Sequence, residues 1–319
     1  MNVLRAAHVP TAHVPNTLRA GVALALGTAL ISGFSVFING LVIKEFADPL
    51  LLTAIRNAFV GLAFASLLAV KRPGPALAAL RGRQWLGLLA IALLGGSLAF
   101  FLFFGGLAAA GAPGAAFIHK TLFVWVAILA VPLLRESLGW LQIGALGALL
   151  VGSALLTPPT GLAGGTGEAM IMGATLLWSL EVVVARRLLP GMSVRIAATA
   201  RMALGAAIMV GLLALDGRLA GLASFSLKHW LIVGGTGVLL FGYVATWYGA
   251  LQRAPATVVT SILVLGAVIT GSLQALRVGT VGAPQGLGLV VILVAVMAIA
   301  GLAVRRQANG KVVDGLFAA

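Results

Sequence analysis

Ten runs of mostly apolar residues, each about twenty long, dominate this chain. They fall at roughly 18–43, 48–70, 84–109, 113–133, 138–156, 167–187, 193–215, 227–250, 255–276 and 284–304. About twenty such residues is the length a helix needs to cross the hydrocarbon core of a bilayer. A helix satisfies its own backbone hydrogen bonds there, where water cannot. The connections are short and carry Pro, Gly or charge, as in "KEFADP", "KRPGP", "GAP", "RES" and "RAP". Only 9% of the 319 residues are charged, against about 25% in a soluble domain. That is too few to cover a water-facing surface. The expectation is an all-α membrane protein with ten transmembrane helices. The run at 18–43 exceeds the ~7–15 residues of a signal peptide's apolar core, so it reads as a retained first helix behind a polar tail, 1–17.

The net charge is +14, from 21 Lys and Arg against 7 Asp and Glu. The basic residues sit in connections rather than in a basic domain, which argues against a nucleic-acid partner. With the N-terminus placed in the cytoplasm, four fall outside (Lys44, Arg218, Lys228 and Arg277) and three within runs (Arg56, Lys120 and Arg201). All the others fall inside. That asymmetry predicts both termini in the cytoplasm, with a C-terminal tail at 305–319.

The two halves echo each other. "GTALIS" at 27–32 matches "GATLLW" at 173–178, Arg56 aligns with Arg201, and "GAPGAAF" at 111–117 matches "RAPATVV" at 253–259, at offsets of 146, 145 and 142. Each half, 18–156 and 167–304, holds five runs. An odd number inverts the second half relative to the first. Inverted repeats mark secondary transporters, with the substrate site near the midplane between repeats. A channel filter is more often built from symmetric subunits, so alternating access is expected.

On these residues, and on "PLLRESLGWLQIGALGALLVGSALL" at 132–156, the chain resembles the drug/metabolite transporter superfamily. Within it, the chain is similar to the ten-helix metabolite and amino-acid exporter branch, and most like bacterial aromatic amino-acid exporters. The resemblance covers 18–304. It implies export of small metabolites across the inner membrane. The acid at Glu136 has Val278 at the matching place in the second half, a departure from a shared role.

Polar groups within lipid are expensive and usually face a bundle interior or water-filled cavity. Thr28, Ser32, Ser35 and Asn39 are spaced 4, 3 and 4 along the first run, which puts them on one helical stripe. That stripe suits either helix packing or a cavity wall. Phe101 lies in an aromatic run with Phe100, Phe103 and Phe104. Trp125 and Trp178 fall mid-run, away from the interfaces, and Tyr243 lies within the eighth run. Aromatics with a few hydroxyls suit an amphipathic ligand with a flat side chain. His119 and Lys120 stand side by side about 10 Å into the fourth run, at ~1.5 Å per residue from Pro113. Arg56 lies at similar depth. Together the cations could meet a substrate carboxylate, pair with Glu45 or Asp48, or in the case of Lys120 snorkel to the interface.

Glu181 is the one acid well inside a run, and Arg201 lies at similar depth with opposite charge. They read as a gating or packing ion pair, with a proton-coupling carboxylate as the sharper alternative. The substrate-binding candidates are thus Ser35, Asn39, Phe101, His119, Lys120, Trp125, Trp178 and Tyr243. Arg56, Glu181 and Arg201 are the gate or ion-pair candidates.

There is no cysteine, and only four histidines. No HExxH helix or Cys/His cluster is present, and no nucleophile stands beside a base. No metal, cofactor or catalysis is expected. The reading is a secondary exporter of amino acids, aromatic ones among them. Its expected partners are an amphipathic small molecule and membrane lipid, and a monomer is the expected unit. A broader drug or metabolite carrier, nucleotide sugars included, is the alternative. An intramembrane enzyme is the remote one.

Overall fold

The computed structural model describes residues 17–70, 74–110, 112–159 and 164–316, and all regular structure among them is helical. Nine helices of the described residues are long and apolar enough to cross a membrane. They are α1 (Thr17–Glu45), α2 (Pro49–Val70), α3 (Gly82–Ala109), α4 (Ala116–Leu134), α6 (Thr166–Gly191), α7 (Val194–Leu215), α8 (Leu227–Arg253), α9 (Ala256–Val278) and α10 (Ala283–Arg305). Between α4 and α6 lies α5 (Trp140–Leu156), apolar but only 17 residues long. The tail before Thr17 and the Lys71–Arg72 pair lie outside the described residues. The helix of α10 continues into the expected C-terminal tail, as far as Leu316.

Local chemistry sets the helix ends. Asp48 is the N-cap of α2: its Oδ1 accepts the N–H groups of Leu50 and Leu51 at 3.0 and 3.1 Å. Pro49 follows at the first helical position, where a missing N–H costs nothing. α9 borrows its cap from the other half of the chain. The Glu136 carboxylate, just after α4, accepts from Ala256 N (2.6 Å), Thr257 N (3.1 Å) and Thr257 Oγ1 (2.7 Å). Free N–H groups at a helix start favour such an anion.

Two helices are interrupted midway. The helical segments Ala112–Lys120 and Leu122–Leu134 meet at Thr121, and Ala256–Leu263 and Leu265–Val278 meet at Val264. The same bonds tighten each break. Thr121 N reaches Ile118 O and Val124 N reaches Thr121 O; Val264 N reaches Ser261 O and Ala267 N reaches Val264 O. Every one of these residues is offset by 143.

α1 packs on α8 and α9, and α6 packs on α3 and α4. α2 crosses α7, and α5 lies along α10. The largest core runs between the C-terminal half of α2, the start of α3 and the facing parts of α6, α8 and α9, with Phe64, Leu88, Val182, Tyr248 and Val259 buried in it. Toward the other end the core divides into smaller clusters, such as Leu50, Leu51, Ala54, Met209 and Leu213. Phe101, His119, Lys120, Tyr243 and Val264 are half-buried.

Candidate functional site

Where α3, α6, α7 and α8 meet, the backbones come unusually close. α3 and α7 each contain one π-helical turn, Leu94–Leu98 and Ala200–Leu204, a feature common at functional sites. The two turns face each other. A Cβ on Gly96 would stand 2.3 Å from Arg201 O, and one on Gly205 would stand 2.6 Å from Gly96 Cα. Only glycine permits this crossing. Ser97 supports its turn by donating to Ala92 O at 3.2 Å and Leu93 O at 3.1 Å.

That crossing encloses the expected ion pair. Arg201 Nε stands 3.8 Å from Glu181 Oε1, with side chains 10% and 2% exposed. The closer partner comes from α8: Tyr248 Oη donates to the same oxygen at 2.5 Å. Tyr248 has no signal in the sequence, because which face of α8 meets α6 is a matter of helix rotation. Glu181 also packs against the bare α carbon of Gly95, where a Cβ would fall 2.4 Å from Glu181 Cγ.

One turn along α6, Trp178 Nε1 donates to Gly95 O at 3.2 Å. Its indole is ringed by Phe100, Phe103 and His119, with centroids 5.3, 5.6 and 4.9 Å away. Phe103 also meets the His119 ring edge-on at 5.3 Å. His119 Nδ1 is buried and has no hydrogen-bond partner. Phe101 faces the other way. With Phe100 and Phe104 it packs against Leu50, Leu51, Ala54 and Ile55 of α2, and Met209 of α7. The phenylalanines of α3 therefore span from α2 to His119.

The polar stripe of α1 meets different partners along its length. Thr28 is fully buried and hydrogen-bonds Thr246 of α8 at 2.9 Å, which is helix packing. At the far end Asn39 donates to Ser35 O and Oγ at 2.8 and 3.2 Å, and its Oδ1 accepts from Arg56 Nη1 at 2.8 Å. Ser35, Asn39 and Arg56 thus form one unit. Arg56 Nε is buried without a partner.

Of the alternatives open to Arg56 and Lys120, pairing with Glu45 or Asp48 does not occur. Glu45 pairs with Lys228 at 2.7 Å, and Asp48 pairs with Arg218 through two contacts of 2.6 and 2.9 Å. Glu45 ends α1 and Asp48 follows it, while Lys228 reaches in from the first turn of α8 and Arg218 from the connection before it. Lys120 donates to Thr157 Oγ1, just past the end of α5. Neither Arg56 nor Lys120 has an acidic partner among the described residues. His119 and Lys120 are the last two residues before the break in α4.

Trp125 stands apart from these groups, while Tyr243 lies within electrostatic range of Arg201 and Glu181. Trp125 Nε1 donates to Thr121 Oγ1 at 3.1 Å, across the break in its own helix. Tyr243 stacks on Trp247 at 6.0 Å and 11°. Among the described residues no group of His, Asp and Glu could hold a metal ion.

A sequence profile of the EamA-like transporter family matches residues 19–157 and, separately, residues 165–301. A solved structure titled only "Crystal structure of protein" is similar in fold, with a TM-score of 0.73 at 16% identity. The match covers 90% of this chain and 99% of that one. No curated protein matches.

Proposed function

Because the chain belongs to the EamA-like transporter family, within the drug/metabolite transporter superfamily, we propose that it exports amino acids, aromatic ones included, by alternating access across the bacterial inner membrane. The observation that carries the substrate class is the pair of cations without acids. Arg56 and Lys120 hold positive charge within apolar helices, and the nearest acids in sequence serve other partners. A buried charge without a counter-charge is costly. An amino acid's carboxylate would supply one, while Phe100, Phe103 and Trp178 offer flat faces to its side chain.

We read α1–α5 and α6–α10 as inverted five-helix repeats with both termini cytoplasmic. The packing supports this: advancing each number by five turns α1 on α8 and α9 into α6 on α3 and α4. The matched breaks at Thr121 and Val264 support it too, since paired discontinuous helices are typical of inverted-repeat carriers. The moving bodies would then be mixed bundles, α1–α8–α9 and α6–α3–α4, rather than the sequence halves 18–156 and 167–304. The Glu181–Tyr248–Arg201 cluster would close the cytoplasmic side between them.

The test is counterflow of labelled phenylalanine or tryptophan into proteoliposomes of the purified protein. Uptake is expected, and unlabelled aromatic and aliphatic amino acids should suppress it. Lys120→Ala and Arg56→Gln should each lower it about tenfold or more, given ~1.5–3 kcal/mol for a hydrogen bond to a charged group. No flux of any amino acid would overturn the substrate class and turn the search to drugs and nucleotide sugars.

A further inference from the structure

The end of the bundle where α3 starts and α6 finishes holds an open cavity of about 700 Å³. Arg81, Arg83 and Gly87 line it from the start of α3, and Arg187 and Leu188 line it from α6. No carboxylate lines it. The Gln84 side chain there is already engaged, its Oε1 accepting Arg81 N–H at 2.9 Å. All three arginines are exposed. Arg187 gives one N–H to Leu133 O, which leaves further guanidinium donors free. The floor is closed by contact between the helices: a Cβ on Gly87 would stand 2.5 Å from Leu188 Cδ1.

The flank of α3 beside the cavity points to the ligand. Leu86, Leu89 and Leu93 share one flank of α3, between Arg83 and Trp85 and turned away from the Gly87 side. The three leucines are 68%, 46% and 39% exposed, and in a membrane protein that face meets acyl chains. Trp85, 47% exposed, stands beside Arg83, the kind of residue found where headgroups begin. We infer that Arg81, Arg83 and Arg187 bind the phosphate headgroup of an anionic phospholipid whose acyl chain lies along Leu86, Leu89 and Leu93.

Basic pockets between membrane helices are suited to such headgroups. A zwitterionic lipid would bring an ammonium against three guanidiniums. Free phosphate would satisfy the arginines but make no use of the leucine strip. This site is independent of what the transporter carries.

Native mass spectrometry of the full chain in detergent tests this, with phosphatidylglycerol and phosphatidylcholine of identical acyl chains. Phosphatidylglycerol should be retained about fivefold more or better. Arg81→Gln with Arg83→Gln should abolish that preference at an unchanged melting temperature, and Arg187→Gln should reduce it. Lys228→Gln, at the opposite end of the bundle, should leave it intact, and millimolar inorganic phosphate should not displace the lipid. Equal retention of the two lipids, a preference that survives the double variant, or displacement by phosphate would each overturn the inference.

Discussion

Glu181 serves two partners at once, a phenol at 2.5 Å and a guanidinium at 3.8 Å. Glutamine in its place could still accept from Tyr248 but would leave Arg201 buried without a counter-charge. Breaking a buried pair from one side costs about 3–5 kcal/mol, so Glu181→Gln should lower the melting temperature markedly. Glu181→Leu with Arg201→Leu should cost less than the sum of the two single changes, and additivity in that cycle would show the pair is not coupled. Transport that keeps its pH dependence in Glu181→Gln would exclude Glu181 as the proton carrier. The pair was legible in the sequence because a lone acid within an apolar run faced a base at the same depth. Tyr248 was not, since helix rotation decides it. The sequence left the partner of Arg56 open for a related reason. Glu45 and Asp48 are near it in sequence, but Lys228 and Arg218 arrive from far along the chain and take them.

The crossing of α3 and α7 is held by glycine at contact distance. Gly96→Ala should cost ~1–3 kcal/mol through overpacking and lower thermal stability. Gly27→Ala, at a site with nothing within 4 Å, should melt like the parent, and equal losses in both would sink the argument. Helix existence and approximate ends were readable from hydropathy. The π-helical turns and the breaks at Thr121 and Val264 were not, because no change of composition marks them. Nor was the role of Glu136, which acts on a helix 120 residues away in sequence. Removing that cap by Glu136→Ala should cost about 0.5–2 kcal/mol, read as a fall in melting temperature. If bundles separate there in the transport cycle, the variant should also increase labelling of a single cysteine placed beside Thr257. The chain has no cysteine of its own to interfere.

At the scale of the whole molecule, the repeat visible in the sequence gives the number of parts but not their arrangement. Its two halves are interleaved, with α1 lying against α8 and α9 rather than chiefly against its sequence neighbours. This bears on how the chain is made. α1 leaves the ribosome more than two hundred residues before α9, and at ~5–20 residues per second that is on the order of ten seconds or longer. During that interval the face carrying Thr28 and Gly33 has only lipid or the insertion machinery to meet. The first half expressed alone should therefore be cleared by proteolysis, and expressing the second half alongside it should restore both. A first half that accumulates stably by itself would mean that α1 finds another partner while it waits.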